Sequence, residues 1–91
     1  AENFDLQLIE SCIKGDRASQ KVVYDRLASR MLPLCMRYAG DRNQAEDILQ
    51  DGFLTLFTQL QNYKGEGSFD GWARKIFVNT ALMSLRKKDA L

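Results

Sequence analysis

Apolar residues return at three- and four-residue intervals along almost the whole chain, and no stretch alternates apolar and polar as a strand would. Four helices are predicted. The first runs from Phe4 to Lys14, with Leu6, Ile9, Cys12 and Ile13 as its apolar face. Gly15-Asp16 breaks it, and Asp16 can cap the next helix by accepting backbone N–H bonds. The second spans Arg17 to Ala39 on Val22, Val23, Leu27, Met31, Leu34, Cys35 and Tyr38, with a kink expected over residues 29–32 because Pro33 removes a backbone bond. After Gly40–Asn43 comes the cleanest pattern. Ala45, Ile48, Leu49, Gly52, Phe53, Leu56, Phe57 and Leu60 predict a helix from Gln44 to Gln61, with Asn43 and Glu46 as a capping box. Gly52 in its middle costs about 1 kcal/mol against alanine and makes sense if another helix approaches closely there. The fourth helix runs from Phe69 to Lys88, capped by Ser68, with Phe69, Trp72, Ala73, Ile76, Thr80 and Met83 expected inward. The fold class is all-α: a compact bundle of three main helices plus a short N-terminal one.

Composition narrows the function. Ninety-one residues, 45% hydrophobic with a single proline, suit one globular domain with an economical core. There is no histidine, which removes the usual general base and the commonest zinc ligand. Cys12 and Cys35 sit in separate apolar patterns without CxxC spacing, so buried free thiols are expected. No nucleophile–base pair stands out, and the chain is not expected to be an enzyme or to hold a metal or cofactor. No window approaches a membrane span, no membrane insertion is expected, and a cytoplasmic setting is the default. Charge is uneven: residues 1–62 hold seven Lys+Arg and nine Asp+Glu, residues 63–91 six and three. That suits a phosphate-bearing partner at one end and another partner elsewhere, or simply a dipolar surface.

Three features stand apart from the core. On the outer side of helix three, Asp47, Gln50, Asp51, Leu54 and Thr58 form a stripe. It reads either as a solvated face or as a docking stripe with Leu54 as anchor. On helix four, Lys75, Asn79, Leu82 and Arg86 share one side, placing cations for phosphates and an amide for a base edge in one row. The following Lys87 and Lys88 also suit the negative end of a helix dipole. Between these helices lies Tyr63-Lys64-Gly65-Glu66-Gly67-Ser68-Phe69. Its aromatics can stack on an unpaired base, its glycines admit close backbone approach, and Lys64 can meet a phosphate. It can equally be a connector, and it lacks the glycine pattern and Lys-Ser/Thr pair of a nucleotide-binding loop.

In order, GDRASQKVVYDRL, GDRNQAEDILQDGFLTLF and YKGEGSFDGWARKIFVNTALMSLRKK resemble the promoter-melting domain, region 2, of bacterial RNA polymerase sigma factors. The extracytoplasmic-function class fits better. Its acidic-gap-gap-Gln-acidic-x-Phe helix is matched by Asp47 to Phe53, its aromatic-basic-Gly-x-x-x-Phe loop by Tyr63 to Phe69, and its Trp and Ile-x-x-Asn-x-Ala helix by Trp72 and Ile76 to Ala81. The likeness runs from about residue 5 to 88 without a gap.

The resemblance implies roles. Asp47, Gln50, Asp51 and Leu54 would dock on the coiled coil of the β′ clamp of the polymerase core. Tyr63, Lys64, Gly65, Glu66, Gly67 and Ser68 would capture a base flipped from the non-template strand of the promoter −10 element, with Phe69 as a structural wall. Asn79 would meet the upstream edge of that element, and Lys75 and Arg86 its phosphates. An anti-sigma factor is a further candidate partner. Lys75-Ile76 stands where primary sigma factors carry two tryptophans, so melting would lean on the loop. Leu56-Phe57 replaces a frequent aromatic run, a change expected to touch packing more than docking. The family's helix-turn-helix reader of the −35 element is not in this sequence, so residues 1–91 are expected to be an isolated domain that binds core polymerase but directs transcription poorly. The alternative is a helical adaptor that uses the Leu54 stripe and touches no nucleic acid.

Overall fold

The computed structural model describes residues 5–90, with side chains through Lys87. Helix α1 is Leu6–Ile13, α2 Arg17–Tyr38, α3 Arg42–Gln59 and α4 Phe69–Ala90, with a 3-10 turn at Leu60–Asn62 closing α3. The described residues contain no strand. The expected start of the first helix at Phe4, the side chain of Lys88 and the terminal Leu91 fall outside what is described.

Each turn between helices is fixed by a side chain that satisfies backbone N–H groups the helix cannot reach. Asp5 accepts from the Leu8 N–H at 2.7 Å and Asp16 from the Ser19 N–H at 3.0 Å. Between Asp16 and the first helix, Gly15 turns the chain at φ 95°, a conformation that favours glycine. The cap of α3 is Asp41, not Asn43: its carboxylate accepts from the Gln44 N–H at 2.8 Å. The Gln44 side chain reaches back to the Gly40 N–H at 2.7 Å, so the reciprocal pair sits two residues earlier than the sequence suggested. Ser68 caps α4, accepting from the Gly71 N–H at 2.9 Å. Helix α2 continues through Pro33 to Tyr38 without ending.

Helices α2, α3 and α4 pack pairwise, and α1 lies across α2 and the 3-10 turn. The core runs through Val23, Leu27, Met31, Leu34 and Cys35 of α2, Ala45, Ile48, Leu49, Phe53 and Leu56 of α3, and Phe69, Ala73, Phe77 and Ala81 of α4. From α1 only Ile9 and Cys12 are fully buried; Leu6 and Ile13, expected inward, are exposed. At the centre, a Cβ on Gly52 would lie 2.3 Å from Cδ1 of Phe77. The glycine is therefore what lets α4 approach α3. Phe77 then meets Phe53 edge-on at 5.0 Å between ring centroids, the favoured geometry for aromatic pairs.

Helix α4 is rotated from its expected setting. Its buried line is Phe69, Ala73, Phe77 and Ala81, spaced by four. Trp72, Ile76 and Thr80 are only half-buried, and Met83 is 58% exposed. Phe77 was absent from the predicted core and is completely buried. The small Ala73 and Ala81 face inward because a closely packed helix pair has no room for larger side chains.

Candidate nucleic-acid interface and docking face

The outer face of α3 is open. Asp47, Gln50, Asp51 and Thr58 are exposed, and Leu54 is 67% exposed. Thr58 donates its hydroxyl proton to the Leu54 carbonyl at 2.7 Å, leaving that polar group satisfied within the helix. Beside Leu54 a shallow apolar hollow of about 400 Å³ is walled by Tyr24, Phe53 and Phe57, with Gln50 and Thr58 at its rim. Tyr24 lies over Phe53 at 4.3 Å between centroids, so α2 contributes one wall. An exposed aliphatic residue next to an apolar hollow, with acids along the same stripe, is the pattern of a docking surface for a basic, partly apolar partner. The sequence-predicted residues of this stripe all lie on one face.

The loop after α3 is folded onto itself. Gly65 and Gly67 take φ of 78° and 72°, values that favour glycine. The Tyr63 hydroxyl donates to the Gly67 carbonyl at 2.9 Å, closing the loop over its own backbone. The Tyr63 ring is half-buried, 5.2 Å from Phe69 and 5.3 Å from Trp72. Lys64, Gly65, Glu66, Gly67 and Ser68 are exposed around it. At the other end of the loop, the Leu6 side chain of α1 lies against Gly65, where an added Cβ would sit 3.3 Å from its Cδ2.

Where the loop joins α4 there is a hollow of about 270 Å³ lined by Glu66, Gly67, Ser68, Gly71, Trp72 and Lys75. Tyr63 was expected to supply the stacking surface. Trp72 lines this hollow, with the Tyr63 ring 5.3 Å from it between centroids. The helical spacing of Trp72 from Phe69 and Ile76 predicts an inward position; the structure leaves it half-buried, packed against the core on one side and lining the hollow. The available signal was chemical: an aromatic with a polar N–H tends to sit where one end stays wet. Lys75 and Asn79 are exposed one turn apart on α4, with Leu82 and Arg86 continuing the row. The structure thus brings Glu66, Gly67, Ser68 and Lys75 to one hollow, with Asn79 a turn further along, while Tyr63, Lys64 and Gly65 are not among the residues that line it. Arg86 lies almost two turns beyond Asn79 and does not line it.

Away from the hollow, burial pushes the Cys35 thiol up to about 11 and raises Cys12, with Asp16 adding to the latter. Both thiols are free and buried, as expected. The lining of the hollow, an indole, an acid, a cation and open backbone, equips it for binding by shape, stacking and charge. Among the described residues, no helix is long and apolar enough to cross a membrane.

The chain belongs to the sigma-70 region 2 family, whose profile matches residues 23–91, and within it to the extracytoplasmic-function class. It is 30% identical over 77 residues to the RNA polymerase sigma-H factor of Pseudomonas aeruginosa, covering 85% of this chain and 40% of that protein. It is 36% identical over 78 residues to the ECF RNA polymerase sigma factor SigE of Mycolicibacterium smegmatis, covering 81% and 30%. The chain thus spans well under half the length of these relatives. Its fold matches the NMR structure of an engineered region 2 of sigmaE in complex with GTAAAA, with a TM-score of 0.82, 24% identity, and 94% and 95% of the two chains covered.

Proposed function

We propose that this chain is the part of a transcription initiation factor that joins the polymerase core to an unpaired promoter strand. Asp47, Gln50, Asp51 and Leu54 dock on the coiled coil of the β′ clamp. The hollow formed by the loop and α4 takes one base flipped from the non-template strand of the −10 element, and Asn79 meets the neighbouring upstream base. Lys75 and Arg86 meet phosphates. The activity is binding and strand separation, not catalysis.

The observation that carries this reading is the closed loop. A connector needs neither the Tyr63–Gly67 bond nor two glycines at positive φ, and the Gly67 held by that bond lines the same hollow as Trp72. Base stacking on an aromatic side chain is worth about 1–3 kcal/mol, which offsets the few kcal/mol needed to unstack the base. Family membership supports the same reading, as does the occurrence of a GTAAAA complex in a domain of the same fold.

The test measures binding of single-base variants of a non-template oligonucleotide to the chain on core polymerase at fixed salt. Residues 64–67 are replaced by Gly and Ser, keeping Ser68 because it caps α4. The replaced loop is expected to lose preference at one position while keeping polymerase affinity; Asn79→Ala is expected to shift preference at the next upstream position. An unchanged base ranking after loop replacement would reduce the loop to a connector.

A further inference from the structure

Directly beside the base hollow lies a second cleft, of about 200 Å³, between α2 and α4. It is lined by Arg30, Met31 and Leu34 of α2 and by Asp70, Gly71 and Arg74 of α4. Gly71 lines both hollows. At Gly71, in the first turn of α4, no side chain stands between them. Consecutive residues point about 100° apart around a helix, which is why Lys75 serves the first hollow and Arg74 the second.

The charge of this cleft is unbalanced. Arg30 pairs with an oxygen of Asp70, tying α2 to α4. The other Asp70 oxygen is buried without a hydrogen-bond partner. Arg74 is exposed, and no described residue pairs with it. The cleft therefore holds two guanidiniums against one carboxylate, and that carboxylate is engaged by Arg30. A planar guanidinium with its donors unspent, above an apolar floor of Met31 and Leu34, matches a phosphate oxygen pair.

We propose that this cleft seats a backbone phosphate of the same single strand whose base enters the neighbouring hollow. The strand crosses α4 over Gly71, with Arg74 as the residue that meets the phosphate. Arg30, paired with Asp70, ties α2 to α4 along the edge of the cleft and leaves the net positive charge with Arg74. A side chain at Gly71 would stand in this path and would also press on the cap, since a Cβ there lies 2.9 Å from Ser68 Oγ. This rests on the base-capture reading, and adds a phosphate position on the α2 side of α4 that the Lys75–Arg86 row does not supply.

The test uses the 91-residue chain with single-stranded hexanucleotides: GTAAAA, its single-base variants, and versions with each internucleotide phosphate in turn replaced by a neutral methylphosphonate. Arg74→Gln is expected to melt like the parent, to weaken binding several-fold at low salt, and to lower the slope of log affinity against log salt by about 0.7, the value for one phosphate contact on a single strand. It leaves the base ranking unchanged. One methylphosphonate, next to the captured base, reproduces the loss, and Arg74→Gln adds nothing on that oligonucleotide. Unchanged affinity and slope, or equal additional losses on every methylphosphonate version, would overturn the proposal. A flat base ranking with the Arg74 coupling intact sinks base capture but not the phosphate site; an intact ranking without coupling does the reverse. Absence of any binding by the parent overturns both.

Discussion

Replacing Gly52 by alanine sets two physical effects against each other. Alanine in a helix interior is favoured over glycine by about 1 kcal/mol, so propensity alone predicts a stabilised domain. Packing predicts the opposite. The new Cβ would lie 2.3 Å from Cδ1 and 2.4 Å from Cε1 of Phe77. Carbon atoms in favourable contact sit about 3.5–4.0 Å apart, so the ring must retreat by more than about 1 Å. It has little room to move: Phe77 is 0% exposed and already in edge contact with the Phe53 ring. Overpacking a well-filled core costs about 1–3 kcal/mol, and a clash this deep belongs at the upper end.

The net expectation is a loss of about 2 kcal/mol, from a penalty near 3 less the propensity gain near 1. For a domain of this size that lowers the melting temperature by roughly 8–16 °C, read by circular dichroism. In urea the midpoint should fall without a change of slope, because the area exposed on unfolding stays nearly the same. Phe77→Leu, made in the Gly52→Ala background, should cost less than in the parent, since the smaller side chain relieves the clash. A Gly52→Ala protein that melts at or above the parent temperature, with no coupling to residue 77, would refute the close approach of α3 and α4.

Three further outcomes follow from the same structure. Phe77→Ala should cost about 3–5 kcal/mol in a urea titration, whereas Met83→Ala should stay within about 0.5; the reverse order would restore the orientation of α4 that its periodicity first suggested. Cys12 and Cys35 should resist a thiol reagent at pH 8 until denaturant is added, because burial hides both and holds the Cys35 thiol near 11; rapid labelling of the native chain would count against the buried positions. Asp51→Arg should leave the melting temperature almost unchanged and abolish capture by a β′ clamp coiled-coil fragment; retained capture would remove Asp51 from the docking face.

Much of the fold was legible because α2 and α3 bury broad, regular faces. Ile48, Leu49, Phe53 and Leu56 were expected inside and are there, and Gly52 was expected to mark a close approach and does. Ser68 and Asp16 were also legible as caps, since each precedes a helix and is followed by a backbone N–H at the right offset. The start of α3 was less so. Asp41 and Asn43 are both good cap residues, and the choice fell to Gln44, whose side chain closes back on Gly40.

The setting of α4 was misread for a reason that bears on its site. A helix carrying Phe69, Trp72, Ile76, Phe77 and Met83 has more large apolar residues than one face can bury. Periodicity ranks such faces by bulk, but the packed partner ranks them by fit. Against Gly52 the fitting face is one ring flanked by two alanines, Phe77 between Ala73 and Ala81. The bulkier line is then turned to the edge of the core, where Trp72 packs against it half-buried and also lines the loop hollow. The exposed stripe of α3 was easier to read because its acids and amide could not have been core in any setting.

This arrangement also constrains how the two proposed surfaces act together. Asp51 of the docking stripe shares a hollow of about 190 Å³ with Thr80 and Lys87 of α4, so the α3 face and the far end of α4 adjoin. Beneath them the Gly52–Phe77 contact leaves no slack between the helices. A partner that holds the outer face of α3 therefore holds α4 as well, and with it Trp72, Lys75 and Asn79. Under the proposed function, docking on the polymerase fixes the base hollow in space without any change of shape, and the free energy of docking goes into placing a preformed site. A variant that loosens the helix pair without unfolding it, such as Phe77→Leu, should then lose discrimination among single-base variants while keeping clamp affinity. Equal discrimination by the parent and by that variant would mean that the hollow is shaped by its own loop alone.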